Sequence, residues 1–337
     1  MKLYWIQENF PGLLRVFIIA VISTWLGSLF PIIGGAVFGI LIGILISNVI
    51  GKPERALPGI KFASKKILQW AIILLGAGLS LSQVWKTGVE SLYVMLFTLS
   101  AAFISAYSLG KLMGVPFRLT SLIGVGTAIC GGSAIAAVSP IIEAEDMEIA
   151  YSISTIFLFN VLAVLIFPPL GHLMEFSDQA FGLWAGTAIN DTSSVVAAGY
   201  AFSNIAGDYA TIVKLTRTTM IIPISLIFAF ITAIAKKKEA KNNQDVSYSI
   251  KSIFPWFILW FLVASLLNTL GLFPANWVGY LKFLSKFMIV MALSAIGLSA
   301  DFRKMLKTGM KPLFLGLFVW FVVSVVSLVV QFSTGQI

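Results

Sequence analysis

Two stretches decide the fold: Gly124-Val-Gly-Thr-Ala-Ile-Cys-Gly-Gly-Ser133 and Gly186-Thr-Ala-Ile-Asn-Asp-Thr-Ser-Ser194. Each interrupts an apolar run. Residues 126–137 align on 186–197 with six identities in twelve positions, so the interruption occurs twice. Gly124, Gly126, Gly131 and Gly132 crowd the first stretch. Each glycine weakens a helix by roughly 1 kcal/mol. Unwound backbone at membrane depth is tolerated only where protein buries it or a cavity receives it. Thr127, Ser133, Thr187, Thr192, Ser193 and Ser194 add hydroxyls, Asn190 an amide and Asp191 a carboxylate. Half-helix N-termini attract anions, while carbonyl ends and carboxylates hold cations. Glycines alone fit close helix packing equally well. Asn190-Asp191 beside them favours a binding site, with Na+ at Asn190 and Asp191 or a proton on Asp191 as the two options. Asp191 also fits a plain cap on the following half-helix.

The rest of the chain supplies the bilayer setting. Of 337 residues, 58% are hydrophobic and only 11% charged, against about 25% charged in a soluble domain. Such a chain cannot cover a water-facing surface, which excludes a soluble enzyme and a nucleic-acid module. The class is an all-α polytopic membrane protein. Apolar runs fall at 12–30, 32–50, 67–84, 92–112, 119–142, 149–170, 180–202, 210–234, 253–272, 277–298 and 312–330. The run after Arg15 is too long for a cleavable signal.

The net charge of +9 sits in short loops. Lys52, Arg55, Lys61, Lys65 and Lys66 share one loop; Lys111 and Arg118 flank another. Lys236, Lys237, Lys238 and Lys241 mark a third, and Arg303, Lys304, Lys307 and Lys311 a fourth. Placing these in the cytoplasm puts the N-terminus inside and the C-terminus outside. Residues 236–248 read as a cytoplasmic linker between a membrane region 1–235, holding both unusual segments, and a second region 249–337.

A second internal match pairs residues 61–88 with 282–309, with nine identities in 28 positions. In the topology above its copies enter from opposite faces, as inverted repeats of secondary transporters do. The two unusual segments are either broken crossing helices or re-entrant hairpins; both satisfy the Lys/Arg rule. Hairpins make both repeats inverted.

Other polar residues are fewer. Lys214 and Arg217 share one helical face, fitting an anion, a partner for Asp191, or snorkelling to the interface. Asn160, mid-span, fits a bond to an unwound segment or plain helix packing. Cys130 lacks a base partner and reads as a small packing residue. His172 reads as interfacial, Glu143, Glu145, Asp146 and Glu148 as a solvated turn, and Trp85 and Trp277 as interface anchors.

Leu75-Gly-Ala-Gly-Leu-Ser80, together with the two opening stretches, resembles the YeiH-type sulfate exporter family of bacterial inner-membrane proteins over nearly the whole chain. A more distant likeness is to bile acid:sodium symporters, whose two unwound segments bind Na+ and substrate. Gly131-Gly132 and Asn190-Asp191 look like their counterparts, in a permuted order. The resemblance implies a core domain, a scaffold domain, and often a homodimer in the bacterial inner membrane.

The expected function is therefore secondary active transport of a small anion such as sulfate, coupled to Na+ or H+ by alternating access. The expected site comprises Thr127, Cys130, Gly131, Gly132, Ser133, Asn160, Asn190, Asp191, Thr192, Ser193 and Ser194, with Lys214 and Arg217 as anion-neutralising candidates. No other cofactor is expected, and neither an NTP-binding motif nor a His-containing catalytic constellation is present. A passive anion channel is the alternative.

Overall fold

Apolar sequence of this kind satisfies its backbone within each segment, and the computed structural model of the chain accordingly contains only helices among its described residues, 2–30, 34–49, 51, 54–239, 256–299 and 309–337. In order, these are α1 (Lys2–Leu29), α2 (Gly34–Val49), α3 (Leu57–Phe62), a π-helical turn (Ala63–Ile67) and α4 (Leu68–Gly76). Then come α5 (Leu81–Leu112), α6 (Phe117–Ala128), α7 (Gly132–Val138), α8 (Asp146–Leu173), α9 (Asp178–Ala188), α10 (Thr192–Phe202), α11 (Asn204–Thr219) and α12 (Ile221–Glu239). The last three are α13 (Trp256–Thr269), α14 (Ala275–Ser299) and α15 (Met310–Ser333).

Among the described residues, six stretches are long and apolar enough to cross a membrane: Gln7–Leu29, Leu81–Leu112, Met147–Leu173, Asn204–Thr232, Asn276–Ser299 and Met310–Ser333. Shorter apolar helices add Phe38–Val49 and Trp256–Thr269. The expected spans shift in one region. The run 67–84 is divided: α4 ends at Gly76, which packs directly on the Phe261 carbonyl, where a Cβ would lie 2.4 Å from that oxygen. Ser80 then caps a new helix by accepting from the Gln83 amide at 3.2 Å. The resulting α5 has 32 residues and begins well before position 92. Its first turns carry Lys86 and Glu90, an i,i+4 ion pair 3.9 Å apart, whose charge hides the helix from a hydropathy reading.

Both interrupted segments are hairpins. In the second, Phe181 near the start of α9 stacks on Phe202 at the end of α10, with ring centroids 4.0 Å apart. The Ser203 hydroxyl donates to Asp178 at 2.5 Å. Entry and exit therefore lie on one side. Packing on α11 agrees. Gly182 meets Ala206 and Gly186 meets Ala210 and Val213, so α9 and α11 run parallel; Gly199 meets Gly207, so α10 returns antiparallel. In the first hairpin, Gly126 of α6 lies against Ile135 of α7, a contact that only folding back allows. The 28-residue α8, about 42 Å long, carries the chain from one hairpin to the other, so they enter from opposite ends.

The hairpins belong to a core formed by α5–α12 and α15. Against it stands a second group, α1–α4 with α13 and α14. Small residues bring that group together. Gly43 and Gly297 allow α2 and α14 to touch backbone to backbone, and Gly12 and Gly59 do the same for α1 and α3. Segment 61–88 runs antiparallel to its sequence counterpart on α14. Ser285 donates to the Ala71 carbonyl at 2.7 Å, and the Lys282 stem lies over Gly78. Of the expected linker, 240–248 lies outside the described residues, and 236–239 ends α12. Arg303, Lys304 and Lys307 also lie outside them, as does the 301–308 part of the repeat.

The hairpin is directly testable. In a Cys130→Ser background, Asp178→Cys with Ser203→Cys should cross-link within one chain under mild oxidant, read as a gel shift reversed by reductant. If residues 178–203 crossed the bilayer, the two thiols would lie ~30 Å apart and no cross-link would form.

Candidate functional site: two hairpin tips and the cavity they face

Helices α6 and α9 both end deep inside the protein, so their final carbonyls point into an apolar interior without a next turn to receive them. The chain solves this locally and then at long range. The last four carbonyls of α6 are Val125, Gly126, Thr127 and Ala128. The first two accept from the Ile129 and Gly131 amides at 3.0 and 2.9 Å. The other two accept from Arg217: Nε donates to Ala128 O at 2.5 Å, and Nη2 to Thr127 O at 2.8 Å. Across the gap, Nη1 of the same guanidinium donates to Thr187 O of α9. Lys214 repeats the pattern one turn earlier on α11. Its Nζ donates to Ile129 O at 2.7 Å and to Ile189 O at 2.8 Å. Both side chains are 0% exposed. Two cations thus cap two helix C-termini at once, where the macrodipole is negative. The i,i+3 spacing on α11 is what lets both reach the same face.

This placement excludes snorkelling for Lys214 and Arg217, and neither forms an ion pair with Asp191. The tips themselves touch: a Cβ on Gly131 would lie 3.2 Å from Cβ of Asp191. Gly131 has φ of +68°, a conformation that glycine adopts without strain and that turns the chain into α7.

Beyond the tips, α7 and α10 start with their N-termini at a cavity of about 540 Å³. The core side of its wall holds Gly132, Ser133, Asp191, Thr192, Ser193, and Ile153, Ile156, Phe157 and Asn160 of α8. The facing group supplies Ser64, Lys65, Leu68, Gln69 and Ile72 from the π-helical turn and α4, with Phe257, Ile296 and Ser299. Asp191 caps α10: its Oδ2 accepts from the Ser193 amide at 3.1 Å and from the Ser193 hydroxyl. The Asp191 amide in turn donates to Asn160 Oδ1 at 3.1 Å, which fixes the tip against α8. The capping role and the Asn160 bond were both open from the sequence; the geometry shows both. Thr192 is 8% exposed, lines the cavity, and has no hydrogen-bond partner for its hydroxyl among the described residues.

Of the residues expected to form a site, Gly132, Ser133, Asn160, Asp191, Thr192 and Ser193 line this cavity. Thr127, Cys130, Gly131, Asn190, Ser194, Lys214 and Arg217 lie behind it, in the buried joint between the tips. Asn190 is 1% exposed with both side-chain polar atoms unpartnered, and the Thr127 hydroxyl is likewise unpartnered. Sequence reasoning missed the facing wall. Lys65 reads as a charge of a basic loop and Gln69 falls inside the apolar run 67–84; the π-helical turn that holds Ser64 and Lys65, followed by α4, brings them to the cavity. Among the described residues no group of three His, Cys, Asp or Glu side chains is placed to hold a metal. The acidic turn instead makes a capping box, with Glu148 accepting from the Glu145 amide at 2.9 Å.

A polar cluster lies at the far end of α10. Lys286 of α14 donates to Asn204 Oδ1 at 2.7 Å and lies 5.5 Å from the Tyr200 ring centroid, and the Tyr200 hydroxyl donates to Asp208.

Comparison with known proteins places this geometry in a family. Residues 11–316 match the family described as "Conserved hypothetical protein 698". A UPF0324 membrane protein of Clostridium tetani is 46% identical over 342 residues, covering 98% of this chain and 99% of the relative. Another from Fusobacterium nucleatum is 46% identical, covering 96% and 98%. A third, from Streptococcus agalactiae, is 48% identical, covering 98% of each.

The cations in the joint make a stability prediction. Arg217→Met keeps the bulk and leaves the Thr127, Ala128 and Thr187 carbonyls without a donor, at about 1–3 kcal/mol each. The thermal midpoint of the detergent-solubilised protein should fall by many degrees, and by less for Arg217→Lys. An unchanged midpoint for Arg217→Met would contradict the capping role.

Proposed function

The chain belongs to the Conserved hypothetical protein 698 family of membrane proteins, and from that premise we propose that it is a secondary active transporter of a small anion. One observation carries the reading. Two half-helices open their N-termini onto a single cavity at the junction of two helix groups, with the helix breaks buried in protein. Irregular backbone at this depth is costly, and secondary transporters use it to hold ions and substrate. Hydroxyls of Ser133 and Thr192 and the Lys65 ammonium give the cavity anion-binding chemistry. Lys214 and Arg217 support the site from behind by fixing the tips; their donors go to carbonyls. The resemblance to YeiH-type exporters favours an oxyanion such as sulfate, and coupling to Na+ or H+ follows from Asp191 at the cavity wall.

Alternating access fits the asymmetry of the structure. One end of the joint is a cavity with exposed Lys65 at its wall, and at the other Lys286 ties α14 to Asn204. Lys65 and Lys286 are counterparts in the internal repeat. We read this state as open towards the cytoplasm, with an inverted repeat exchanging the two ends and the N-terminus inside, as the basic loops favour.

Purified protein in liposomes should accumulate sulfate, or another member of a panel of small anions, above the external concentration when an ion gradient is imposed. Flux that only equilibrates, at rates linear in concentration, would make the protein a channel. No flux for any anion of the panel would overturn the transport reading.

A further inference from the structure

The breaks in α6 and α9 leave the kind of carbonyl cage that, in a sodium-coupled carrier, receives the driving ion. Here that cage is already full. Thr127, Ala128, Ile129, Thr187 and Ile189 all give their carbonyl oxygens to Lys214 or Arg217. The fully buried side-chain oxygens left unpartnered between the tips are the Thr127 hydroxyl and the Asn190 amide oxygen. A desolvated Na+ needs a closed shell of oxygen ligands, and two do not make one. It would also have to enter beside two buried positive charges, which repel it strongly in a low dielectric.

Asp191 offers a different coupling. Its Oδ2 occupies the N-terminal amide of α10 at Ser193, so the chain's own carboxylate sits where an anion would bind. Two negative charges do not share that amide; an anion displaces the carboxylate only once its charge is cancelled. Thr192 on the same wall is nine-tenths buried, and its hydroxyl, without a partner among the described residues, gives an anion there a further polar contact.

Resting on the transport reading, we propose that Lys214 and Arg217 are tethered replacements for a coupling Na+, and that the coupling ion is a proton taken up by Asp191 as the anion binds at the α10 N-terminus. The charged and titratable groups around Asp191 are Cys130 on the first tip, Lys214 and Arg217 on α11, and Lys65 across the cavity; α8 presents Asn160, which is neutral. Lys214 and Arg217 are held by the carbonyls of the tips and Lys65 is exposed on the far wall, which leaves Asp191 as the acidic group in contact with the α10 N-terminus. One proton enters with the anion, is carried on the carboxyl through the change of access, and leaves with it.

The test uses the full chain in liposomes with labelled sulfate and an internal pH dye, in choline or Na+ buffers. First, sulfate exchange without any gradient is measured. Then a pH gradient, acidic on the side of sulfate addition, is imposed. The proposal expects sulfate accumulation at least several-fold above the gradient-free level, an acid shift inside that tracks sulfate, and initial rates in choline and Na+ equal within twofold. Asp191→Asn should cut pH-driven accumulation to under a tenth, and Asp191→Glu, which keeps a carboxyl, should restore part of it. Exchange that saturates with Na+ and ignores the pH gradient overturns the proton assignment and leaves the transport reading standing. Asp191→Asn that keeps pH-driven accumulation overturns the role of Asp191. No exchange of sulfate or of the remaining anions overturns the transport reading and the proposal with it.

Discussion

Two buried cations on α11 make this architecture possible. A helix that stops in the middle of a membrane protein exposes carbonyls that neither lipid nor an apolar core can satisfy. Two such ends, from α6 and α9, approach each other from opposite sides. Their dipoles alone would repel, negative end to negative end. Lys214 and Arg217, wholly buried, turn that repulsion into a joint by donating to five carbonyls drawn from both hairpins. The cost of burying the charges is offset only because both ends are present, so each hairpin depends on the other.

The consequences run outward from the joint. With the tips pinned, α7 and α10 start from fixed points and aim their N-termini at one cavity. Asn160 locks the second tip to α8 through the Asp191 amide. The wall opposite comes from helices packed through Gly43, Gly297, Gly12 and Gly59 into a separate group. The cavity lies between these two groups of helices.

Much of this was legible in the residues. The doubled Gly-Thr-Ala-Ile pattern located both breaks, because glycine and hydroxyl residues have no reason to cluster in a lipid-facing helix. Their hairpin form was not legible: basic loops count crossings only in parity, and two hairpins leave the parity unchanged. The Phe181–Phe202 stack and the Gly126–Ile135 contact decide it, and both are long-range. Lys214 and Arg217 could be flagged as unusual, but a one-dimensional reading cannot tell a snorkelling cation from a capping one. The start of α5 was hidden because Lys86 and Glu90 lower its hydropathy while pairing with each other. Lys65 was read only as a loop charge, since nothing in the sequence announces the π-helical turn that brings it to the cavity.

The most direct test of the account is an experimental density map of the protein in a lipid nanodisc, resolved well enough to trace side chains around α11. The account predicts two re-entrant hairpins with the Lys214 ammonium between the Ile129 and Ile189 carbonyls and the Arg217 guanidinium spanning both tips. A continuous helix through residues 117–138 or 178–202, or Lys214 and Arg217 extended to the lipid headgroups, would contradict it.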